Sequence, residues 1–335
     1  MNPDLLLELY QGNGTTLQDR DVRLPPQEPS TGMEHPGTYI AEPGLRDAVN
    51  VALTLGQPLL VTGEPGTGKT RLAYSLAWEL GLNEPLVFHT KTTSTASDLF
   101  YQYDALRRFQ DIHLGERNPI ETYITCQALG TAILLANPKE KEHAGKILPE
   151  YLKNKDPLRS VVLIDEIDKA PRDLPNDVLN EVEKMTFSIK ESPEWPPFTA
   201  DHQYRPILVL TSNSEKNLPE AFLRRCVFYH INFPGADALS RIVFRRFKDR
   251  PGFNDGFIHS AIVVFEKIRG LDLKKKPATA EFLGWISILR ALGVDLSDMK
   301  DQYKQALQMS CSVLAKTQED LEIIKAQLPK LVWQA

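Results

Sequence analysis

Residues Leu59-Leu60-Val61-Thr62-Gly63-Glu64-Pro65-Gly66-Thr67-Gly68-Lys69-Thr70 decide the fold. A short apolar run enters a glycine-rich loop. The loop opens into Thr70–Leu80, where Leu72, Leu76 and Leu80 recur at helical spacing until Gly81 stops the pattern. Residues 63–70 satisfy G-x-x-x-x-G-K-[ST]. Gly63, Gly66 and Gly68 allow backbone conformations that side chains forbid, so successive amides can point inward at a phosphate. The helix that follows adds its positive N-terminal end. Lys69 is then placed to neutralise β/γ-phosphate oxygens, and the Thr70 hydroxyl to hold Mg²⁺. Glu64, Pro65, Thr67 and Arg71 complete the candidate nucleotide-binding stretch. The competing reading is a glycine-rich turn with a chance Lys-Thr. The strand before the loop and the helix after it weigh against that.

Working outward, strands and helices alternate. Pro85–Thr90, Ser160–Asp165, Pro206–Ser212 and Val227–Phe233 join Leu59–Thr62 as strands, and Gly44–Gly56 reads as a leading helix. The runs Val161–Ile164 and Ile207–Leu210 are apolar at every position, the mark of strands covered on both faces. The pattern predicts an α/β fold with a five-stranded parallel sheet and flanking helices. After Pro234 the strand signals stop. Ala236–Arg250, Asp255–Arg269, Thr279–Leu292 and Asp298–Leu328 read as helical, so a smaller all-α domain is expected over 235–335. Upstream, Leu5–Tyr10 is a short amphipathic piece, and Gln11–Pro36, rich in Gly, Pro, Gln and Thr, reads as an irregular arm. The domains are thus an arm over 1–37, an α/β domain over 38–234 and the helical domain.

Length agrees: 335 residues suit two domains at about 150 residues each. The formal net charge of −5 gives no global positive field, which disfavours nucleic acid and anionic membranes as partners. The local cluster Arg241, Arg245, Arg246, Lys248 and Arg250 reads as one exposed helix face. Three cysteines, Cys126, Cys226 and Cys311, do not make a disulfide framework, and a reducing cytoplasm is expected. No apolar run reaches the roughly 18 residues a spanning helix needs. Met1–Tyr10 carries Asp4 and Glu8 but no basic residue, so a secretory signal is not expected. The seven histidines are scattered, with no H-E-x-x-H or C-x-x-C pair, so no protein-held zinc is expected.

Further chemistry lies at the ends of the later strands. Asp165 sits at the carboxyl end of a buried strand, where open sheets bind ligands, and can coordinate Mg²⁺ beside Thr70. Glu166 is next and is placed to polarise an attacking water, which argues for hydrolysis; a solvated acidic loop is the alternative. Asn213 ends the strand Pro206–Ser212 and can orient water, although asparagine is also a common turn residue. Arg224 and Arg225 precede the last strand and could reach a neighbouring subunit's nucleotide, with a surface arginine pair as the alternative. Tyr39-Ile40, an aromatic and an aliphatic residue ahead of the leading helix, suit a flat base as well as local packing. No Asn-Lys-x-Asp guanine-reading motif is present, so ATP is favoured over GTP.

These elements in this order resemble an AAA+ ATPase over roughly residues 38–332. Residues 63–70 match its Walker A motif, Val161–Glu166 its Walker B, Asn213 its sensor 1 and Arg225 its arginine finger. More narrowly the chain resembles the MoxR-like branch through Leu45 to the Walker A, Asp165–Pro171 and Leu218–Arg225. That resemblance implies ATP and Mg²⁺ as ligands, homo-oligomeric rings (usually hexamers) and chaperone-like remodelling of a partner protein. It also implies an insertion over 94–158 facing the pore, with Tyr101, Tyr103, Arg107 and Arg108 as candidates for gripping substrate or for packing the insertion itself. A second hairpin is expected from Phe187–Lys190 and Phe198–Tyr204. The chain departs from the branch at Asp168-Lys169, at Ser212-Asn213-Ser214 and at Glu281, which stands where a sensor 2 arginine is expected. A lysine among Lys274–Lys276 is the candidate substitute. Two other readings remain open: a nucleotide-gated assembly switch in a signalling or defence system, and a nucleic-acid-linked ATPase.

Overall fold

A computed structural model describes residues 35–137, 141–153, 156–213, 218–247, 253–298 and 300–333. Leu5–Tyr10, the arm up to residue 34, Ser214, Lys248 and Arg250 lie outside the described residues. The chain divides into two compact units. One is Ala41–Gly63 with Gly68–Ile231; the other is Met1–Ile40, Glu64–Thr67 and Asn232–Ala335.

The α/β unit opens with α1 (Pro43–Leu55), which buries Leu45, Val49 and Ala52 on one face and ends on left-handed Gly56. Then follow β1 (Leu59–Gly63), α2 (Lys69–Glu79) and β2 (Leu86–His89). After β2 the chain forms β3 (Tyr101–Tyr103), α3 (Ala105–His113), β4 (Ile124–Cys126) and α4 (Ala128–Leu135). Further along come β5 (Val161–Asp165), α5 (Leu179–Lys184), β6 (Thr186–Phe187), β7 (Phe198–Thr199), β8 (Ile207–Ser212), α6 (Glu220–Leu223) and β9 (Val227–Ile231), with short helices at Lys141–Ile147 before β5 and Leu174–Asp177 after it.

Five strands form one parallel sheet in the order β2-β5-β8-β1-β9. Its three inner strands are the ones that carry continuous apolar runs before their polar carboxyl ends, and Leu60, Val61, Val162, Leu163 and Val209 are fully buried there. Each such side chain contributes about 1.5–3 kcal/mol relative to exposure. The edge strands β2 and β9 bury fewer positions, as strands covered on fewer sides should. The parallel order leaves the carboxyl ends of β1, β5 and β8 side by side, and this positions the candidate site.

The segment 94–158 enters the core. Helix α4 is buried at every residue and shares one hydrophobic cluster with β5 and β8. A Cβ on Gly130 would stand 2.0 Å from the Phe100 carbonyl oxygen, a backbone atom that cannot turn aside. Gly130→Ala is expected to destabilise the fold at or beyond the upper end of the ~1–3 kcal/mol typical of overpacking, read as a lowered denaturation midpoint. A midpoint like wild type would show that α4 can shift.

Helix α3 turns its polar side inward. Arg108 donates to the Tyr103 hydroxyl at 2.8 Å, and the Tyr123 hydroxyl donates to Asp111 at 2.9 Å, leaving Leu106, Phe109 and Ile112 exposed. Tyr101 is 5% exposed, donates to Glu191 at 2.9 Å and accepts the Lys190 N–H at 3.0 Å. Burial pushes its phenol up to about 12. Of the expected gripping residues, Tyr101, Tyr103 and Arg108 therefore pack this segment, while Arg107 stays exposed. The second hairpin is smaller than expected: only Thr186–Phe187 and Phe198–Thr199 pair, antiparallel, and His202–Tyr204 is a 3-10 turn.

The second unit is helical: α7 (Ala236–Phe247), α8 (Asp255–Arg269), α9 (Thr279–Ala291), α10 (Lys304–Leu314) and α11 (Gln318–Trp333). It has its own core around Phe257, Phe265, Phe282 and Trp285, whose indole N–H donates to Ser310 at 3.0 Å. The expected single helix over Asp298–Leu328 is two. Ala315 is extended, and Thr317 restarts the chain by accepting the Asp320 N–H at 3.1 Å. Asp320 is fully buried and accepts the N–H groups of Lys274 and Lys275 at 2.8 and 3.2 Å. Burial works to raise its carboxyl, but these bonds and Thr317 outweigh it and hold the carboxyl below its ordinary range. The lysine run Lys274–Lys276 is thereby anchored as a loop, with the Lys274 ammonium paired to Glu319.

Candidate functional site

The phosphate loop takes the conformation its glycines permit. Gly63, Gly66 and Gly68 all have positive φ, at 150°, 78° and 90°, and Gly68 caps α2 in the left-handed region. Lys69, the first residue of α2, is 7% exposed. Its ammonium donates to the Gly63 carbonyl at 2.8 Å and to Asn213 Oδ1 at 2.9 Å. Burial lowers its pKa, while Asp168, Asp165 and Glu166 pull it back up. Thr67 Oγ1 closes the loop crown on the Glu64 carbonyl at 2.8 Å. Arg71, half-buried on α2, has its pKa lowered by burial.

Asp165 is the last residue of β5, and Glu166 follows it. Thr70 Oγ1 donates to Asp165 Oδ1 at 3.0 Å. A hydroxyl and a carboxylate in contact are hard oxygen donors of the kind Mg²⁺ takes, so the pair fits that ion. Asp165 Oδ2 lies 3.7 Å from His89 Nδ1, across the β2–β5 pairing. Glu166 follows with φ 56° and ψ 50°, a left-handed conformation that costs a non-glycine residue about 1–3 kcal/mol and points to function. Its Oε1 lies 3.5 Å from Asn213 Nδ2, and its Oε2 is ion-paired with Lys169.

Lys69, Thr70, Asp165, Glu166 and Asn213 therefore form one cluster at the carboxyl edge of the sheet, although they are far apart in sequence. Three further residues join this cluster, and the sequence assigns none of them a role in it. Thr211 donates to Asp165 Oδ1 and accepts the Glu166 N–H; Asp168 Oδ1 accepts the Asn213 N–H at 3.3 Å; Lys169 holds Glu166. Asp168 and Lys169 were visible only as departures from the branch pattern. Thr211 gave no signal, because threonine is ordinary in a strand.

Arg225 is half-exposed; its Nε lies 3.3 Å from Glu183 Oε2, and Nη1 donates to the Ala221 carbonyl at 3.0 Å. Arg224 is ion-paired with Glu220 one turn back. In the helical unit, Tyr39 ends a 3-10 turn, with its N–H on the Pro36 carbonyl at 3.1 Å. Ile40 lines an open cleft of about 870 Å³ with Ser240, Phe244, Ile258 and Ile262. Glu64 Oε2 pairs with Arg269 at 3.0 Å, and the Arg269 guanidinium lies 3.5 Å from the Phe233 ring centre. Glu281 is occupied as a cap: it accepts the Ala278 N–H at 3.0 Å and pairs with Lys316 at 3.2 Å. In the basic cluster of α7, Arg245 donates to the Gly37 carbonyl at 2.6 Å. Burial pushes the Cys126 and Cys226 thiols up to about 12 and Cys311 up to about 11, which leaves them poor nucleophiles. Among the described residues no helix is long and apolar enough to cross a membrane.

A parallel sheet with a glycine-rich phosphate loop after its first strand defines a P-loop nucleotide-binding fold. Residues 59–234 match the family model described as ATPase family associated with various cellular activities (AAA). The chain belongs to that family. No curated protein matches it. Among solved structures, a RuvB variant from Thermotoga maritima is similar at 16% identity and a TM-score of 0.44, covering 85% of this chain and 74% of that one. The FIGL-1 AAA domain in complex with ADP is similar at 15% identity and a TM-score of 0.44, covering 87% of this chain and 88% of that one.

Proposed function

We propose that this AAA-family chain binds ATP with Mg²⁺, hydrolyses it to ADP and phosphate, and works as a ring-forming, MoxR-like remodeller of a partner protein. The observation that carries the reading is the joined cluster: Thr70 on Asp165, and Lys69 on Asn213, with Asn213 facing Glu166. Phosphoryl transfer to water asks a protein for positioning and charge stabilisation, and these groups supply both. The loop amides and Lys69 bind the phosphate oxygens. Thr70 and Asp165 would hold the Mg²⁺, which would supply charge neutralisation at the phosphates. Asn213 orients the water, Glu166 takes its proton, and Arg225 of a neighbouring subunit stabilises the charge that develops on the transferring group. The test is ATP turnover by purified protein with Mg²⁺, with and without candidate partners. Absence of turnover under every condition, together with failure to bind nucleotide, would end this reading.

A second reading, a nucleotide-gated assembly switch with slow turnover, is favoured by the Lys169–Glu166 ion pair. That pair occupies one carboxylate oxygen of the base while Asn213 faces the other. Lys169→Ala is expected to leave stability unchanged, since both side chains are partly exposed, and to raise basal turnover by no more than about tenfold. Turnover that falls instead would mean that Lys169 orients Glu166 productively rather than restraining it.

A further inference from the structure

One buried hydroxyl joins the two acids. Thr211 is 1% exposed, in β8. Its Oγ1 donates to Asp165 Oδ1 at 2.6 Å and accepts the Glu166 N–H at 2.9 Å. An N–H can only donate and an ionised carboxylate can only accept, so the direction of both bonds is fixed. Asp165 Oδ1 also accepts from Thr70 at 3.0 Å. A single line of hydrogen bonds therefore runs from Thr70 through Asp165 and Thr211 to the backbone of Glu166.

The register explains the arrangement. The β5–β8 ladder runs from Val161↔Ile207 to Ile164↔Leu210, and β8 continues beyond it beside β1, with Thr211 opposite Val61. At the end of β5 the chain turns left-handed at Glu166, and its N–H meets the Thr211 side chain instead of a strand carbonyl. Nothing in strand packing asks for that hydroxyl. Valine has the same branched shape and the same preference for a buried strand. A buried hydroxyl is unfavourable unless it is hydrogen-bonded, and this one is satisfied by the Asp165 carboxylate and the Glu166 N–H.

We infer that Thr211 is a positioning residue that couples the metal-holding acid to the base. It fixes the Asp165 carboxylate beside Thr70 and holds Glu166 in its left-handed conformation, so that the two acids keep one relative orientation. The inference rests on the nucleotide reading above.

Thr211→Val removes the hydroxyl and keeps the shape; Thr211→Ser keeps the hydroxyl. Binding of a fluorescent ATP analogue is titrated with Mg²⁺ and repeated in EDTA, and kcat and KM are measured alongside. In Thr211→Val the Mg²⁺ concentration for half-saturation is expected to rise by about 10–100-fold, the usual effect of losing a hydrogen-bond partner of a metal ligand. Metal-free nucleotide binding and KM are expected to stay near wild type while kcat falls, and Thr211→Ser is expected to restore the Mg²⁺ response. Should the valine protein not fold, Thr211→Ala makes the same comparison. An unchanged Mg²⁺ half-saturation overturns the assignment whatever turnover does. A serine protein as impaired as the valine one also overturns it, since the methyl group would then be what matters. Wild-type protein that binds no nucleotide in either buffer overturns the nucleotide reading itself, and the inference with it.

Discussion

Glu166→Gln is expected to bind ATP as tightly as the native protein and to lose turnover by about 10²–10⁴-fold, the usual contribution of a positioned general base. The substitution keeps size and planarity and removes the negative charge, and with it the ability to accept a proton. What binds nucleotide is left in place: Lys69 remains on Gly63 and Asn213, and Thr70 remains on Asp165. The Glu166 backbone is also kept, because its N–H is held by Thr211 and not by its own side chain. The Lys169 ion pair is lost, but between partly exposed groups that has little effect on stability. Single-turnover hydrolysis with equilibrium binding of the same nucleotide separates the two effects. Full turnover would remove Glu166 as the base and leave Asp165 or a second carboxylate to be found. Weakened binding with proportionate loss of turnover would make Glu166 a structural part of the loop.

The sheet was legible because its inner strands carry continuous apolar runs, Leu59–Val61, Val161–Ile164 and Ile207–Leu210, as strands covered on both faces do. The phosphate loop was legible because its backbone demands glycines at spaced positions. Gly63, Gly66 and Gly68 all adopt positive φ. Two kinds of information were not legible. Helix breaks in the helical unit depend on tertiary capping: Thr317 and Asp320 stop and restart a run whose periodicity alone reads as continuous. The role of Tyr101 depends on burial beneath Glu191 and Lys190, residues about ninety positions away, which no local pattern encodes. The site shows the same division. Asp165, Glu166 and Asn213 could be placed because strand ends collect ligands. Thr211 could not, because its function lies in two hydrogen bonds across strands and its residue type is what any strand would use. Lys169 is intermediate: it is visible as a departure, but its partner is fixed only by the 3-10 turn Ile167–Lys169.

Arg225→Ala is expected to show the largest effect, a loss of about 10³–10⁵-fold in kcat with nucleotide affinity nearly intact, if the guanidinium completes a neighbour's site. Within one chain Arg225 touches nothing in the cluster of Lys69, Asp165, Glu166 and Asn213; its partners are Glu183 and the Ala221 carbonyl. The Glu183 pair joins two half-exposed side chains at 3.3 Å, an interaction weak enough for the arginine to leave at little cost. A surface arginine with no further task would give a variant like wild type, and an isolated chain that turns over ATP without it would dismiss the trans role. Mixing decides the matter more sharply than either loss alone. In a head-to-tail ring every site takes its base from one subunit and its arginine from the next. Arg225→Ala and Glu166→Gln proteins, each inactive alone, should therefore regain activity when co-assembled, because an Arg225→Ala subunit keeps its own Glu166 and borrows a neighbour's Arg225. With random mixing in equal amounts, about a quarter of the interfaces have that composition. Activity that stays at the level of the separate variants would place both residues in the same subunit's site, and the ring would lose its catalytic role.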